Sequence, residues 1–304
     1  MRYSVIIPVY NRPDEVDELL QSLTQQSFKD FEVIVVEDGS SIPCKPVTEK
    51  YQELLDVHYY DKPNSGPGQT RNYGAERSKG EYLIILDSDC ILPEGYFLAV
   101  EEELQHEAAD AFGGPDRAHE SFTDIQKAIN YSMTSFFTTG GIRGGKKKMD
   151  KFYPRSFNMG VRREVYQALG GFSRMRFGED IDFSIRIFKG GYTCRLFPGA
   201  WVYHKRRTDF RKFFKQVHNS GIARINLYKK YPESLKLVHL LPAAFTLGVA
   251  IFLLGTPFCP YSLYSVAASF IQLIGYGTGF LRAWWNRCIL GKDEFEAFKK
   301  NFYK

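Results

Sequence analysis

The chain has 304 residues, which suits a catalytic domain of roughly 200–250 residues with an appendage. Hydrophobic residues at 44% and charged residues at 25% exclude a disordered chain. The five cysteines, Cys44, Cys90, Cys194, Cys259 and Cys288, are scattered and form no CxxC pair, which argues against a disulfide framework or a cysteine-based zinc site. The net charge of +5 is modest and gives no reason to expect a nucleic-acid partner.

Val5–Val9 is a short apolar run ending at a turn, and residues 13–25 follow with Val16, Leu19, Leu20 and Leu23 at helical spacing. Phe31–Val36 is a second apolar, β-branched run. A helix-like stretch at 45–55, a third strand at Val57–Tyr60, a helix over Gly66–Ser78 and a fourth strand at Tyr82–Leu86 come next. This alternation predicts βαβ units and a mainly parallel sheet covered on both faces. No leader precedes the first strand, so this domain is expected to face the cytoplasm. Residues 108–204 read as α+β, with a glycine- and lysine-rich loop at Thr139–Lys148.

The last third changes character. Lys205–Lys236 holds ten Lys or Arg against Asp209 and Glu233, and reads as a basic amphipathic helix over 208–236. Leu237–Leu281 then runs for 45 residues without an Asp, Glu, Lys or Arg. A bilayer span needs about 20 mostly apolar residues. The stretch therefore predicts two transmembrane helices, 237–255 and 262–281, within a segment 237–285, with a cytoplasmic tail at 286–304. Basic residues flank both outer ends, which places both in the cytoplasm. The alternative is a buried helical hairpin, favoured by Ser262, Ser265, Ser269, Gln272, Gly275, Gly277 and Thr278.

Ligands of parallel α/β sheets sit beyond the C-terminal strand ends. There the chain places Pro8-Val9-Tyr10-Asn11, Glu37-Asp38-Gly39-Ser40 and Asp87-Ser88-Asp89. Two carboxylates at i and i+2 can reach one hard cation, and Mg²⁺ and Mn²⁺ also bridge substrate phosphates. Asp38 either contacts a base or ribose or caps the next helix. Arg71, on the helix opened by Gly66-Pro67-Gly68, suits a phosphate contact or an ordinary surface position. Gly178-Glu179-Asp180-Ile181-Asp182 starts an amphipathic helix, where the acids either cap the helix or supply a general base. His204 is a candidate metal ligand or phosphate contact ahead of a basic run.

Together these segments resemble the family 2 glycosyltransferases of the GT-A fold. The matching pieces are Ser4–Asn11, Glu32–Ser40, Gly66–Asn72, Leu86–Asp89, Phe157–Gly160 with Gly170-Gly171-Phe172, and Gly178–Asp182, in the family's order over residues 1–207. The resemblance implies a Rossmann-like α/β catalytic domain over 1–207, with a nucleotide-sugar half at 1–107 and an acceptor-side half at 108–207. It implies Pro8, Tyr10, Asn11, Asp38, Arg71, Asp87 and Ser88 around a UDP- or GDP-linked sugar. It implies a divalent metal (Mn²⁺ or Mg²⁺) on Asp89 and Asp87 with His204, and Asp180 of the Glu179-Asp180 pair as base of an inverting transfer. The expected acceptor is a saccharide hydroxyl, lipid-linked at a membrane.

Two departures stand out. Glu37 occupies a position where the family usually has Asp, and the Gln-x-x-Arg-Trp signature of processive synthases is missing. Three rival readings remain. A polyprenyl-phosphate sugar synthase would use a lipid phosphate acceptor. A sugar nucleotidyltransferase would need a glycine-rich loop after the first strand. A non-catalytic membrane scaffold would keep the fold without the chemistry.

Overall fold

The computed structural model describes residues 1–135, 152–252 and 262–293. The loop at Thr139–Lys148, the turn at Thr256–Tyr261 and residues 294–304 of the expected tail lie outside them. The described residues fall into two units. One comprises those of Met1–His119, Lys146–Met175 and Glu179–Lys205, and the other those of Glu120–Gly145, Arg176–Gly178 and Arg206–Lys304.

The first unit carries the strands β1 (Tyr3–Val9), β2 (Phe31–Asp38), β3 (Val57–Lys62), β4 (Tyr82–Leu86), β5 (Cys90–Ile91), β6 (Ala111–Gly113), β7 (Asp116–Arg117), β8 (Asn158–Arg162), β9 (Cys194–Leu196) and β10 (Val202–His204). Its helices are α1 (Pro13–Thr24), α2 (Lys45–Glu49), α3 (Pro67–Ala75) and α4 (Tyr96–His106), then, past the second unit's α5 (Asp124–Thr134), α6 (Arg163–Ala168) and α7 (Glu179–Lys189). A seven-stranded sheet runs in the order β3-β2-β1-β4-β8-β6-β9. Strands β3, β2, β1 and β4 are parallel, and β8 is antiparallel to β4. Alternation along β1 sorts its side chains onto two faces. Val5, Ile7 and Val9 join Val16, Leu19 and Leu20 of α1, whereas Ile6 joins Ala75 of α3 and Phe183 of α7. Each fully buried Leu or Ile of this kind contributes about 1.5–3 kcal/mol. Pro13 in the first turn of α1, followed by Asp14 and Glu15, marks a helix start.

A second sheet, β5-β10-β7, begins immediately after the Asp-Ser-Asp motif. The chain leaves β4 at Leu86, passes through Asp87–Asp89 and enters β5, where Cys90 stands opposite His204. The motif is thus held at both ends by strand pairing.

The second unit is helical, with α5, α8 (Phe210–Lys230), α9 (Leu241–Phe252) and α10 (Ser262–Trp284). Residues 120–135 were expected to belong to the catalytic half. They group here because Ile129 and Met133 of α5 are buried with Phe213, Val217 and Ala268. Asp209 caps α8, accepting a hydrogen bond from Lys212 N at 2.7 Å.

The expected membrane hairpin is not found. Among the described residues no helix is long and apolar enough to cross a membrane. Helix α9 is described over Leu241–Phe252. Helix α10 has 23 residues, but its serines, glutamine, threonine and glycines dilute the apolar run. Its glycines have another use. A Cβ on Gly279 would run into the His218 carbonyl, and one on Gly221 of α8 into the Tyr276 carbonyl. Small residues at these points let α8 and α10 approach closely, as a packed helix pair requires.

Candidate active site

Asp89 is buried, at 7% exposure. Its Oδ2 lies 3.0 Å from Arg12 Nη1 and its Oδ1 lies 3.2 Å from His204 Nε2. Arg12 follows β1, Asp89 follows β4 and His204 ends β10, so three separate strands build this cluster. The ring of His204 stacks on Phe157 at 4.6 Å between centroids, which fixes its orientation. Ligand atoms of Asp89, Cys90 and His204 lie within 4.8 Å of one another. A carboxylate and an imidazole suit a divalent cation such as Mn²⁺, whereas a thiol suits softer ions. The residues therefore fit the expected metal. Asp87, expected to share the ion, lies outside this group.

Asp87 is held by Arg71 instead. Arg71 Nη2 reaches Asp87 Oδ1 at 2.7 Å and Ser156 Oγ at 3.1 Å, and Nη1 reaches Glu179 Oε1 at 3.0 Å. The guanidinium also sits 5.3 Å from the centroid of the Phe172 ring. Burial works to lower the Arg71 value, but Asp87 and Glu179 outweigh it and raise the group above its ordinary range. Burial raises Glu179, Arg71 opposes this, and the neighbouring Asp180 adds to the rise. Asp180 Oδ2 pairs with Arg155 Nη1 at 3.2 Å, and its Oδ1 accepts from Ile181 N at 2.8 Å at the start of α7.

The turn before α7 is tied down by residues that the sequence reading did not single out. Asn72 Oδ1 accepts from Phe172 N at 2.8 Å, and Asn72 Nδ2 donates to Phe172 O at 2.8 Å. Arg186 bonds the carbonyls of Leu169 and Gly171, each at 2.6 Å, while its Nε lies 2.9 Å from Asp182 Oδ2. These bonds hold the Gly170-Gly171-Phe172 turn against α3 and α7, and so hold Arg71 and Glu179 in register.

At the ends of β1 and β2 the expected nucleotide contacts have partners in the chain. Asp38 accepts from Lys62 Nζ, from Ser65 N at 2.9 Å and from Gly66 N at 2.9 Å. Both its oxygens are therefore engaged in shaping the 62–66 loop. Gly39 has φ +71°, and a Cβ there would lie 2.8 Å from Asn64 N. Glu37 Oε2 accepts from Cys44 N at 2.7 Å and from the Tyr59 hydroxyl at 3.3 Å, while Ser40 Oγ donates to Oε1. The longer side chain at position 37 thus anchors the start of α2. Asn11, at φ 55°, accepts from Ser41 N at 2.8 Å and Ile42 N at 3.0 Å. Pro8 lies in β1 opposite Val36, Tyr10 is partly exposed just beyond that strand, and Ser88 is buried. Arg12 was missed, although it directly follows Asn11 in the sequence. Lys62, Arg155 and Ser156 carried no local signal.

A family model described as Glycosyl transferase family 2 matches residues 4–170, more than half of the chain. An uncharacterized glycosyltransferase of Haemophilus influenzae is 30% identical over 61% of this chain and 62% of its own length. The poly(ribitol-phosphate) β-N-acetylglucosaminyltransferase TarS of Staphylococcus aureus is 39% identical over 29% of this chain and 16% of its own length. The chain therefore spans less than two thirds of these relatives. Among solved structures, the mannosyltransferase PcManGT from Pyrobaculum calidifontis in complex with GDP-Man and Mn²⁺ superposes with a TM-score of 0.64 at 16% identity, covering 94% of this chain and 88% of that one. TarS 1–349 in complex with UDP-GlcNAc gives 0.53 at 18% identity, covering 96% and 93%. These likenesses carry the α/β GT-A fold with its mainly parallel sheet. With six motifs in order and strand-end acids on that fold, the chain belongs to glycosyl transferase family 2.

Proposed function

We propose that this chain transfers a sugar from a nucleoside-diphosphate sugar to an acceptor hydroxyl, with inversion. The observation that carries the reading is the joint placement of Arg12, Asp89 and His204 beyond three strand ends, beside the Arg71–Asp87–Glu179 hub. Asp89 and His204 would hold a divalent cation, which when bound offsets the charge developing on the leaving diphosphate. Arg71 keeps Asp87 oriented toward the donor edge. PcManGT binds GDP-Man and TarS binds UDP-GlcNAc, so UDP- and GDP-sugars are the donors to try first.

Asp180 is the base in this reading. Glu179 is committed to buried Arg71, whereas the partner of Asp180, Arg155, is 30% exposed and can be displaced. A carboxylate there takes the acceptor proton as the new glycosidic bond forms. Asp180→Asn is expected to abolish release of nucleoside diphosphate in the presence of acceptor while donor binding persists. Undiminished turnover would remove Asp180 from this role and favour a phosphate acceptor, which needs little deprotonation.

A membrane-facing acceptor, lipid-linked and reached from the cytoplasm, is part of the same proposal. Exposed Leu237, Leu241, Trp284 and Trp285, with Lys236, Arg282 and Arg287 close by in sequence, support association with an anionic bilayer surface. Flotation with anionic vesicles, and its loss with neutral ones, is the expected outcome. No flotation with either would sink this part of the reading.

A further inference from the structure

A second polar cluster lies at the other edge of the parallel sheet. Ile34 of β2 stands opposite His58 of β3. Strand alternation therefore puts Glu32, Ile34 and His58 on one face. Asp56, immediately before β3, is two residues ahead of His58. Glu32 and Asp38 are six residues apart on β2, about 20 Å along the strand. The cluster is thus remote from the donor edge.

Glu32 is wholly buried. Its Oε1 accepts from Ser4 Oγ at 2.6 Å and Lys79 N at 2.7 Å. Its Oε2 takes no hydrogen bond and faces His58 Nε2 at 3.7 Å. His58 Nε2 in turn lies 3.0 Å from Asp56 Oδ1. The three ligand atoms fall within 4.8 Å of one another. Tetrahedral ligands at about 2.0–2.1 Å from an ion stand ~3.3 Å apart, between the two separations seen here. A buried carboxylate is costly without a compensating charge, and no Lys or Arg pairs with Glu32 among the described residues. One divalent ion would neutralise the two carboxylates together. His58 is 35% exposed, which gives a hydrated ion a way in.

We propose that Glu32, Asp56 and His58 form a binding site for a divalent first-row transition ion, with Zn²⁺ as the probe, on the sheet edge opposite the Asp-Ser-Asp motif. The bound ion clips β2 to β3 where both strands begin. The site uses no cysteine, so the cysteine spacing had no bearing on it.

The test is equilibrium dialysis of the full chain against Zn²⁺, with bound zinc counted, for wild type, His58→Ala, Asp56→Asn and Asp89→Ala. His58→Ala is expected to bind one equivalent less than wild type, and Asp56→Asn to bind that equivalent at least tenfold more weakly. Asp89→Ala is expected to keep this equivalent whatever it does at the other site. Zn²⁺ should also raise the melting temperature of Asp89→Ala but not of the double variant Asp89→Ala/His58→Ala. Equal uptake by wild type and His58→Ala would overturn the proposal. So would destabilisation of His58→Ala in EDTA with no zinc effect on wild type, which would mark a histidine–carboxylate ion pair alone. Asp56→Asn, altered at a half-exposed position, serves if His58→Ala does not fold.

Discussion

Asp87 and Asp89 are two residues apart, yet their surroundings differ in kind. Asp87 is gripped by Arg71, whose side chain is 4% exposed and which also holds Glu179. Asp89 is paired with Arg12, which is 33% exposed, and with a histidine. The first arrangement is the more permanent, because Arg71 also holds Glu179 and its removal strands that buried carboxylate, although Asp87 itself is 31% exposed. The second is exchangeable, because a solvated arginine can yield its place and an imidazole can serve as a ligand. On the proposed reading the short acidic motif divides its work: one carboxylate builds the site and the other would meet a cation.

The largest effect should come from breaking the permanent half. Arg71→Ala leaves Asp87 and buried Glu179 without their cation and is expected to cost about 3–5 kcal/mol in urea unfolding. A loss below about 1 kcal/mol would mean the hub is not structural. His204→Ala should leave stability nearly unchanged but weaken Mn²⁺ binding at least tenfold, about 1.4 kcal/mol, by titration calorimetry. Unaltered Mn²⁺ affinity would take the histidine out of the ligand set. Arg12→Ala should act in the opposite direction. It removes a competitor for Asp89, so Mn²⁺ affinity in the same titration should rise, and an unchanged affinity would mean that Arg12 does not compete with the ion.

The smallest effect concerns pH. Glu179 is raised above its ordinary value of 4.5, chiefly by burial. The folded state therefore holds its proton where the unfolded chain has released it. Stability from this group is complete below pH 4.5 and declines as pH rises through the raised value. Glu179→Gln should flatten that decline in melting temperature, and an unchanged profile would assign the slope elsewhere.

The strand-end acids were legible because an apolar five-residue run followed by Asp-Ser-Asp combines a period signal with a chemical one. The Arg71 hub was not, because its carboxylates lie 16 and 108 residues away and no local pattern joins them. Asp38 was read as a nucleotide contact or a helix cap; its bonds to Lys62 and the 65–66 backbone were not legible, because they shape a loop that no spacing encodes. The expected spans lack support here, and the sequence signal behind them is ambiguous for a general reason. A long stretch without charge is the same signal for a bilayer and for a helix packed against another helix. Gly275, Gly277 and Gly279 add that this stretch packs closely on its neighbours, since a Cβ at any of them would meet another helix.

Binding of UDP and GDP to the purified chain and to Asp89→Ala, measured by calorimetry with Mn²⁺ and with EDTA, tests the central claim most directly. Metal-dependent binding of one nucleotide, absent from Asp89→Ala, is the predicted result. Binding that is equal with Mn²⁺ and EDTA, or equal in the variant, would contradict the assignment of Asp89 as the exchangeable carboxylate.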